Sequence, residues 1–250
     1  MNKKRLLLSL VIFFLVFQLK SQNESFVALN VGGAIPQGDF AKNDSVSGGL
    51  GYATSGFMFG FDGAFFPDDY LGIGGTITFV NSNIDEAKYK SDLTAQIHEK
   101  YPDLEIPDSI IIGYNLGSWR YINIMIGPQG TIRAGNFNFD LRALGGVSFV
   151  FQPQSLFQVF NDEGEPLFSR TRSDKAKAGF GYTLGAGIRY EFENNYIIRL
   201  SADYTGTKVS YETVDEIIND NGDIETSTKR TDYSLSNIQI GIGVAYHFDF

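Results

Sequence analysis

The sequence predicts an all-β chain that closes as an eight-stranded antiparallel up-and-down transmembrane β-barrel, and three observations carry that expectation. The first is the closing segment Ser236–Phe250. There Ile238, Ile240, Ile242, Val244, Tyr246, Phe248 and Phe250 alternate with Asn237, Gln239, Gly241, Gly243, Ala245, His247 and Asp249. A soluble sheet can alternate this way, but small and polar residues opposite an oily face suit a crowded polar lumen with lipid outside. The second observation is that eight segments repeat the pattern. The third is that the connections between them alternate between short and long, the asymmetry of membrane barrels.

Taken in order, the first strand is Phe26–Ile35, with Val27, Leu29, Val31 and Ile35 outward and Ala28, Asn30, Gly32 and Ala34 inward. The second, about Gly49–Phe66, turns Phe57, Phe59, Phe61 and Phe65 outward against Met58, Gly60, Asp62 and Ala64. Gly51, Ala53 and Ser55 share the outward phase without its bulk, which points to a bulge. The third, Leu71–Asn81, sets Leu71, Ile73, Ile77 and Phe79 against Gly72, Gly74, Thr76 and Thr78. The fourth, Trp119–Ile132, shows Ile122, Ile124 and Ile126 outward and Tyr121, Asn123 and Met125 inward, while Pro128 withholds a ladder donor. In the fifth, Phe137–Phe151, outward Phe137, Phe139, Leu141, Ala143, Val147, Phe149 and Phe151 alternate with Asn138, Asp140, Arg142, Gly146 and Ser148. The sixth, Phe180–Phe192, places Phe180, Tyr182, Leu184, Ala186, Ile188, Tyr190 and Phe192 outward. The seventh, Tyr196–Thr205, points Tyr196, Ile198, Leu200, Ala202 and Tyr204 out and Arg199, Ser201 and Asp203 in, and the closing segment is the eighth. A tilted strand of about ten residues crosses an apolar band of about 25 Å.

The second, fourth and sixth connections, Pro67–Tyr70, Arg133–Asn136 and Glu193–Asn195, are short. The first, third, fifth and seventh, Pro36–Gly48, Ser82–Ser118, Gln152–Gly179 and Gly206–Asp232, are long. In the bacterial outer membrane short turns face the periplasm and long loops face out, so an even strand count puts both termini in the periplasm. Lys3, Lys4 and Arg5 precede an apolar run of 14 residues, Leu6–Leu19, with Ser21 at a cleavage position. That run is shorter than the roughly 18 residues of a spanning helix and reads as an export signal, residues 1–22, ahead of a barrel domain, residues 23–250.

Composition narrows the function classes. The chain has no cysteine, which excludes disulfides, thiolate metal sites, a cysteine nucleophile and a lipidated N-terminal cysteine. Net charge is −9, and without Lys3, Lys4, Arg5 and Lys20 the barrel domain has 16 basic against 29 acidic residues, a net −13. Nucleic acid is not an expected partner, because phosphate binding needs a clustered positive surface. A soluble lipocalin-like ligand carrier is the alternative architecture, but such barrels turn large apolar residues inward, opposite to the phase here.

The inward face holds a set of charges, Asp62, Asp140, Arg142, Arg189, Glu191, Arg199 and Asp203, which must pair with one another or hold water in a narrow lumen. Eight strands leave an interior just wide enough for side chains, so the expected role is a structural plug, with a narrow ion path as the alternative. Arginines beside these carboxylates work against a catalytic acid. His98 and His247 are the two histidines, and no Ser/His/Asp arrangement is visible, so neither catalytic residues nor cofactors are expected. The acidic stretch Ile217–Glu225 fails an EF-hand alignment, with Ile217 at the first ligand position and Thr228 at the bidentate one. Its Asp220-Asn221-Gly222-Asp223 reads instead as a hairpin tip that extends the last two strands, and no metal site is assigned.

The long loops are where a protein partner in the envelope would bind. Glu86–Lys100 has the spacing of a short helix before Pro102, and Arg170, Arg172, Lys175 and Lys177 form a basic cluster facing solvent or lipopolysaccharide phosphates. Aromatics suggest interfacial girdles: Trp119, Tyr121, Tyr182, Tyr204 and Tyr233 at the outer end, and Phe65, Phe66, Tyr70, Tyr190, Phe192, Tyr196, Phe248 and Phe250 at the inner end.

The chain resembles the small outer-membrane β-barrel proteins of Bacteroidetes-type bacteria, the PorT-like group. The resemblance rests on Leu19-Lys20-Ser21-Gln22, on Gly32-Gly33-Ala34-Ile35-Pro36-Gln37-Gly38-Asp39-Phe40, on Ile126-Gly127-Pro128-Gln129 and on the terminal Tyr246-His247-Phe248-Asp249-Phe250, in that order along residues 23–250. It implies outer-membrane lipid as the solvent of the barrel and insertion by the outer-membrane assembly machinery, with Tyr246, Phe248 and Phe250 as the assembly signal. Some relatives of this group are linked to secretion or gliding. The expected function is a structural or interaction role in the cell envelope, accessory to secretion or adhesion, without enzyme activity; a narrow pore for small solutes is the second expectation.

Overall fold

The computed structural model describes residues 25–42, 51–100, 117–153, 155–160, 166–172, 176–218 and 224–248. Residues 1–22, expected as an export signal, and Asp220–Asp223, Lys175 and Phe250 lie outside the described residues. In chain order the elements are β1 (Phe26–Gln37), a 3-10 turn (Gly38–Phe40), β2 (Ala53–Phe65), β3 (Leu71–Ile84), α1 (Glu86–Lys100), β4 (Trp119–Ala134) and β5 (Phe137–Phe151). Then follow β6 (Ser155–Phe160), β7 (Pro166–Arg172), β8 (Ala176–Glu191), β9 (Tyr196–Ile218) and β10 (Ile224–His247).

Eight of these strands form a closed antiparallel ring. The order β10-β1-β2-β3-β4-β5-β8-β9 returns to β10, with Phe26 opposite His247 at the seam and Tyr196 opposite Tyr246 on the other flank of β10. Closure pairs every strand on both sides within the ring, which is what lets a sheet stand in hydrocarbon. The chain alternates across it as the pattern demands. Leu141, Phe180 and Val244 are 68%, 74% and 61% exposed, while the residues one step away on β5, β8 and β10 are turned inward. An unbroken apolar belt around the whole wall needs lipid to cover it. The bulge expected at the start of the second strand is present as a register shift between Ala53 and Gly56. At Pro128 the ladder toward β5 is interrupted, and pairing resumes in the same register at Gln129.

Beyond the membrane-facing belt the structure goes further than the pattern. The fifth connection contains the hairpin β6–β7, and β7 pairs with the far half of β9, Arg172 opposite Thr213 and Phe168 opposite Ile217. The seventh connection is mostly strand, because β9 and β10 continue paired from Gly206 opposite Ser236 to Ile218 opposite Ile224. A four-stranded sheet therefore stands off the ring at the end of the long connections. Helix α1 occupies the predicted segment; Asp85 caps it by accepting from the Lys88 amide at 3.1 Å, and the Tyr52 hydroxyl anchors it by donating to Asp92 at 3.0 Å.

The interior is layered. At the long-connection end a buried apolar cluster gathers Phe40, Met58, Val80, Trp119, Tyr121, Val150, Tyr211, Tyr233 and Leu235. At the short-turn end Phe26, Phe66 and Ile197 pack with Ala28, Ala64 and Ala245. Between them lies a polar layer. This corrects the expectation that Trp119, Tyr121, Tyr233 and Phe66 belong to interfacial girdles, because all four are buried inside the ring. They share strand phase with inward residues, Trp119 and Tyr121 with Asn123, Tyr233 with Asn237, and Phe66 with Ala64. Of the remaining girdle residues, Tyr182, Tyr204, Phe65, Tyr70, Phe192 and Tyr196 are exposed on the outer wall.

Candidate functional site: the sealed polar interior

The polar layer is built where large charged side chains on one strand meet glycines on the next. Asp62 comes from β2, Asp140 and Arg142 from β5, Arg189 from β8, and Arg199 and Asp203 from β9. Arg142 is in register with Gly185 of β8, and Gly185 with Asp203 of β9. A Cβ at Gly185 would fall on the Asp203 carboxylate and within 3.2 Å of the Arg142 side chain, so the absence of a side chain there makes the room both need. Gly187 does the same beside Arg199, whose guanidinium passes within 3.4 Å of where its Cβ would stand.

Into that room fit three arginines and three aspartates. Arg142 donates to both oxygens of Asp203, from Nε and from Nη2, at 2.7 Å each, and its Nη1 lies 3.1 Å from Asp62. Arg199 donates to the same Asp62 oxygen, so Asp62 is shared between two guanidinium groups. Arg189 forms a second two-pronged pair with Asp140, at 2.8 and 3.0 Å, and also donates to Thr131 at 3.2 Å. Its guanidinium lies 4.3 Å from the ring centre of Phe26, which joins the charge layer to the plug at the short-turn end. All six groups are buried and their formal charges cancel. A buried charge is tolerated when its partner and hydrogen bonds replace water, and bidentate arginine–carboxylate geometry does that best.

The seventh expected member stands elsewhere. Glu191 contacts His247 near the short-turn rim, where both side chains are only partly buried. Around the network a ladder of neutral groups continues the layer. The Ser148 hydroxyl donates to Asn123 at 2.7 Å, Asn123 donates to Thr78 at 3.0 Å, and Thr183 and Thr205 share a hydrogen bond of 3.0 Å. Asn30, Gln129 and Gln239 each keep a buried side-chain nitrogen without a hydrogen bond to protein, the kind of group that buried water serves.

The plug at the long-connection end turns on Trp119. Its indole donates to the Gly51 carbonyl at 2.8 Å, and Phe40, Tyr211 and Tyr233 surround it with ring centres at 5.7, 6.3 and 5.3 Å. The Tyr211 hydroxyl donates to the Val150 carbonyl. The inward phase expected for Tyr121 stands in the structure, and Trp119, which shares that parity, is here as well rather than in the outer girdle. Of the expected basic cluster, Lys177 is exposed on β8 and the backbones of Arg170 and Arg172 lie in β7. Among the described residues no group of three or more His, Cys, Asp or Glu is arranged to hold a metal ion. No helix there is long and apolar enough to cross a membrane.

Residues 7–248 match the family described as "Outer membrane protein beta-barrel domain". The chain belongs to that family. It is a β-barrel protein of the bacterial outer membrane, and the polar layer is the interior of an outer-membrane barrel. A 22 kDa outer membrane protein of Rhizobium leguminosarum bv. viciae is 31% identical over 83 residues, 33% of this chain and 35% of that protein's length. Among solved structures, a major outer membrane protein of Thermus thermophilus is similar at 12% identity and a TM-score of 0.45, over 90% of this chain and 99% of that one. Ail, the attachment invasion locus protein of Yersinia pestis, is similar at 12% identity and a TM-score of 0.41, over 91% and 100%.

Proposed function

We propose that this outer-membrane barrel is a non-enzymatic envelope protein that displays a rigid binding platform outside the cell, in a role accessory to secretion or adhesion, and that it falls in the PorT-like part of its family. Both termini lie in the periplasm, the long connections face out, and the assembly machinery reads Tyr246 of the last strand together with Phe248 and Phe250 further along the sequence. The carrying observation is the filled interior. A charge-neutral layer whose aspartates are paired with arginines lies between two apolar clusters, so the wall serves to hold what it projects. What it projects is the sheet of β6, β7 and the far halves of β9 and β10, and separately α1, which is held to Tyr52 ahead of β2. Loops on a rigid scaffold are where recognition is ordinarily placed. Outer-membrane lipid and a protein of the envelope are the partners this reading supplies.

The test is replacement of residues 155–172 by a short Gly-Ser turn in the native host, with cross-linking and secretion or attachment assays. The proposal expects the barrel to reach the outer membrane in normal amount and the attachment or secretion phenotype to fail. A fully functional cell with the platform removed would overturn it. Planar-bilayer recordings address the narrow-pore alternative, for which steady conductance by the unaltered chain is the required result.

A further inference from the structure

The outer wall is not evenly bulky. Across β4, β5, β8, β9 and β10 runs a groove of about 790 Å³ with an almost wholly apolar lining. Its floor is set by Ala186 and Ala202, which are paired in register, and its sides by Phe139, Leu141, Ile188 and Ile240. Small residues on two adjacent strands between large ones on either side create the depression.

The path of this groove is oblique. One end lies at Tyr70, in the short turn, beside Ile132, near the end of β4. From there it crosses Phe139, close to the start of β5, and climbs to Ile240, well up β10 from its end at His247. At a rise of about 3.3 Å per residue and a tilt of about 40°, Ile240 stands roughly 18 Å above the short-turn end, past the middle of an apolar band of about 25 Å. The groove thus opens at one membrane interface, beside an exposed tyrosine, and ends in mid-membrane. It is continuous with the lipid-facing belt throughout.

We propose that the groove holds an acyl chain of a glycerophospholipid whose headgroup sits at the short-turn interface beside Tyr70. A chain entering from that interface follows the whole length of the groove, and a volume of this size is in the range of built ligand sites. A second copy of the barrel is a poor occupant, since a two-fold contact sets this concavity against itself and leaves it unfilled. That the headgroup belongs to the periplasmic leaflet rests on the orientation proposed above; the groove and its entry end do not.

The experiment uses the full chain in nanodiscs of phosphatidylethanolamine and phosphatidylglycerol carrying a trace of phospholipid with a photoactivatable diazirine, either near the headgroup or at the end of one acyl chain. Adducts are mapped by mass spectrometry. The expected result is several-fold enrichment at the groove over Leu29, Phe61 and Ile77 at comparable depth on the opposite wall. The headgroup-proximal probe should mark Ile132 and Phe139, and the chain-end probe Ala202 and Ile240. Ala186→Phe should abolish the enrichment while heat-modifiable migration shows the barrel still folded; if that variant fails to fold, Ala202→Leu takes its place. Even labelling around the wall, enrichment that survives filling, a reversed depth order, or groove residues protected within a cross-linked dimer would each overturn the proposal. Orientation is read separately, by cysteine labelling on cells, so a reversed topology would change the leaflet and leave the site standing.

Discussion

Arg142 of β5 and Asp203 of β9 share two hydrogen bonds of 2.7 Å across β8, at the row where β8 carries Gly185. The pair spans a strand that belongs to neither residue, so it ties three staves of the wall together. Arg142 also reaches Asp62 of β2, across the lumen.

Breaking this pair from one side leaves the other charge buried without a partner. Arg142→Met should cost about 3–5 kcal/mol, and Asp203→Asn a comparable amount, because an uncompensated buried charge is the expensive state. The double substitution should cost less than the sum of the two. Urea unfolding in lipid vesicles, read by the fluorescence of the single tryptophan, measures all three.

Gly185→Ala tests the room rather than the charge. The new methyl would displace the Asp203 carboxylate, and overpacking of this kind costs about 1–3 kcal/mol. Gly75→Ala is the control: its Cβ would meet nothing closer than 3.5 Å, and its stability should match the unaltered chain.

The plug around Trp119 should be what keeps the long-connection end closed. Trp119→Ala should cost about 3–5 kcal/mol by cavity formation, measured by the urea midpoint of heat-modifiable migration. Paired with Phe26→Ala at the other plug, it should raise bilayer conductance above that of either single variant. An unchanged, silent bilayer would show that the polar layer seals the barrel by itself.

Topology can be read with single cysteines, since the chain has none of its own. Glu193→Cys in a short turn should resist a membrane-impermeant thiol reagent on intact cells, and Ser227→Cys on the far half of β10 should react. The opposite pattern would reverse the proposed orientation.

Much of the wall was legible in the sequence because lipid leaves little freedom: a phase slip of one residue would put Arg142 or Asp203 into hydrocarbon. The phases of Phe57, Ile124, Leu141, Leu184 and Ile242 all stand in the structure as the alternation implies. The pairing of the lumen charges was not legible. It depends on register between strands, and only register shows that Gly185 separates Arg142 from Asp203 or that Glu191 sits with His247. Trp119 illustrates a different failure, in which the general habit of aromatics outweighed the parity of its own strand, while Tyr121 carried both an inward phase and a girdle expectation and only the phase stands. The hairpin of β6 and β7 escaped although the extension of the last two strands past the membrane is legible from their hairpin tip, because only register shows that β7 pairs with the far half of β9.

The seam of the ring joins Phe26 to His247, residues from the two ends of the described chain. Contacts so distant along the polypeptide are slow to form, since the loop must close before they give any return. The wall therefore cannot seal from a partial product: until the last strand is delivered, β1 waits with one flank unmatched, and a clipped or stalled chain is an open sheet that its neighbours can capture. A protein built this way makes the arrival of β10 the condition for becoming a membrane protein at all.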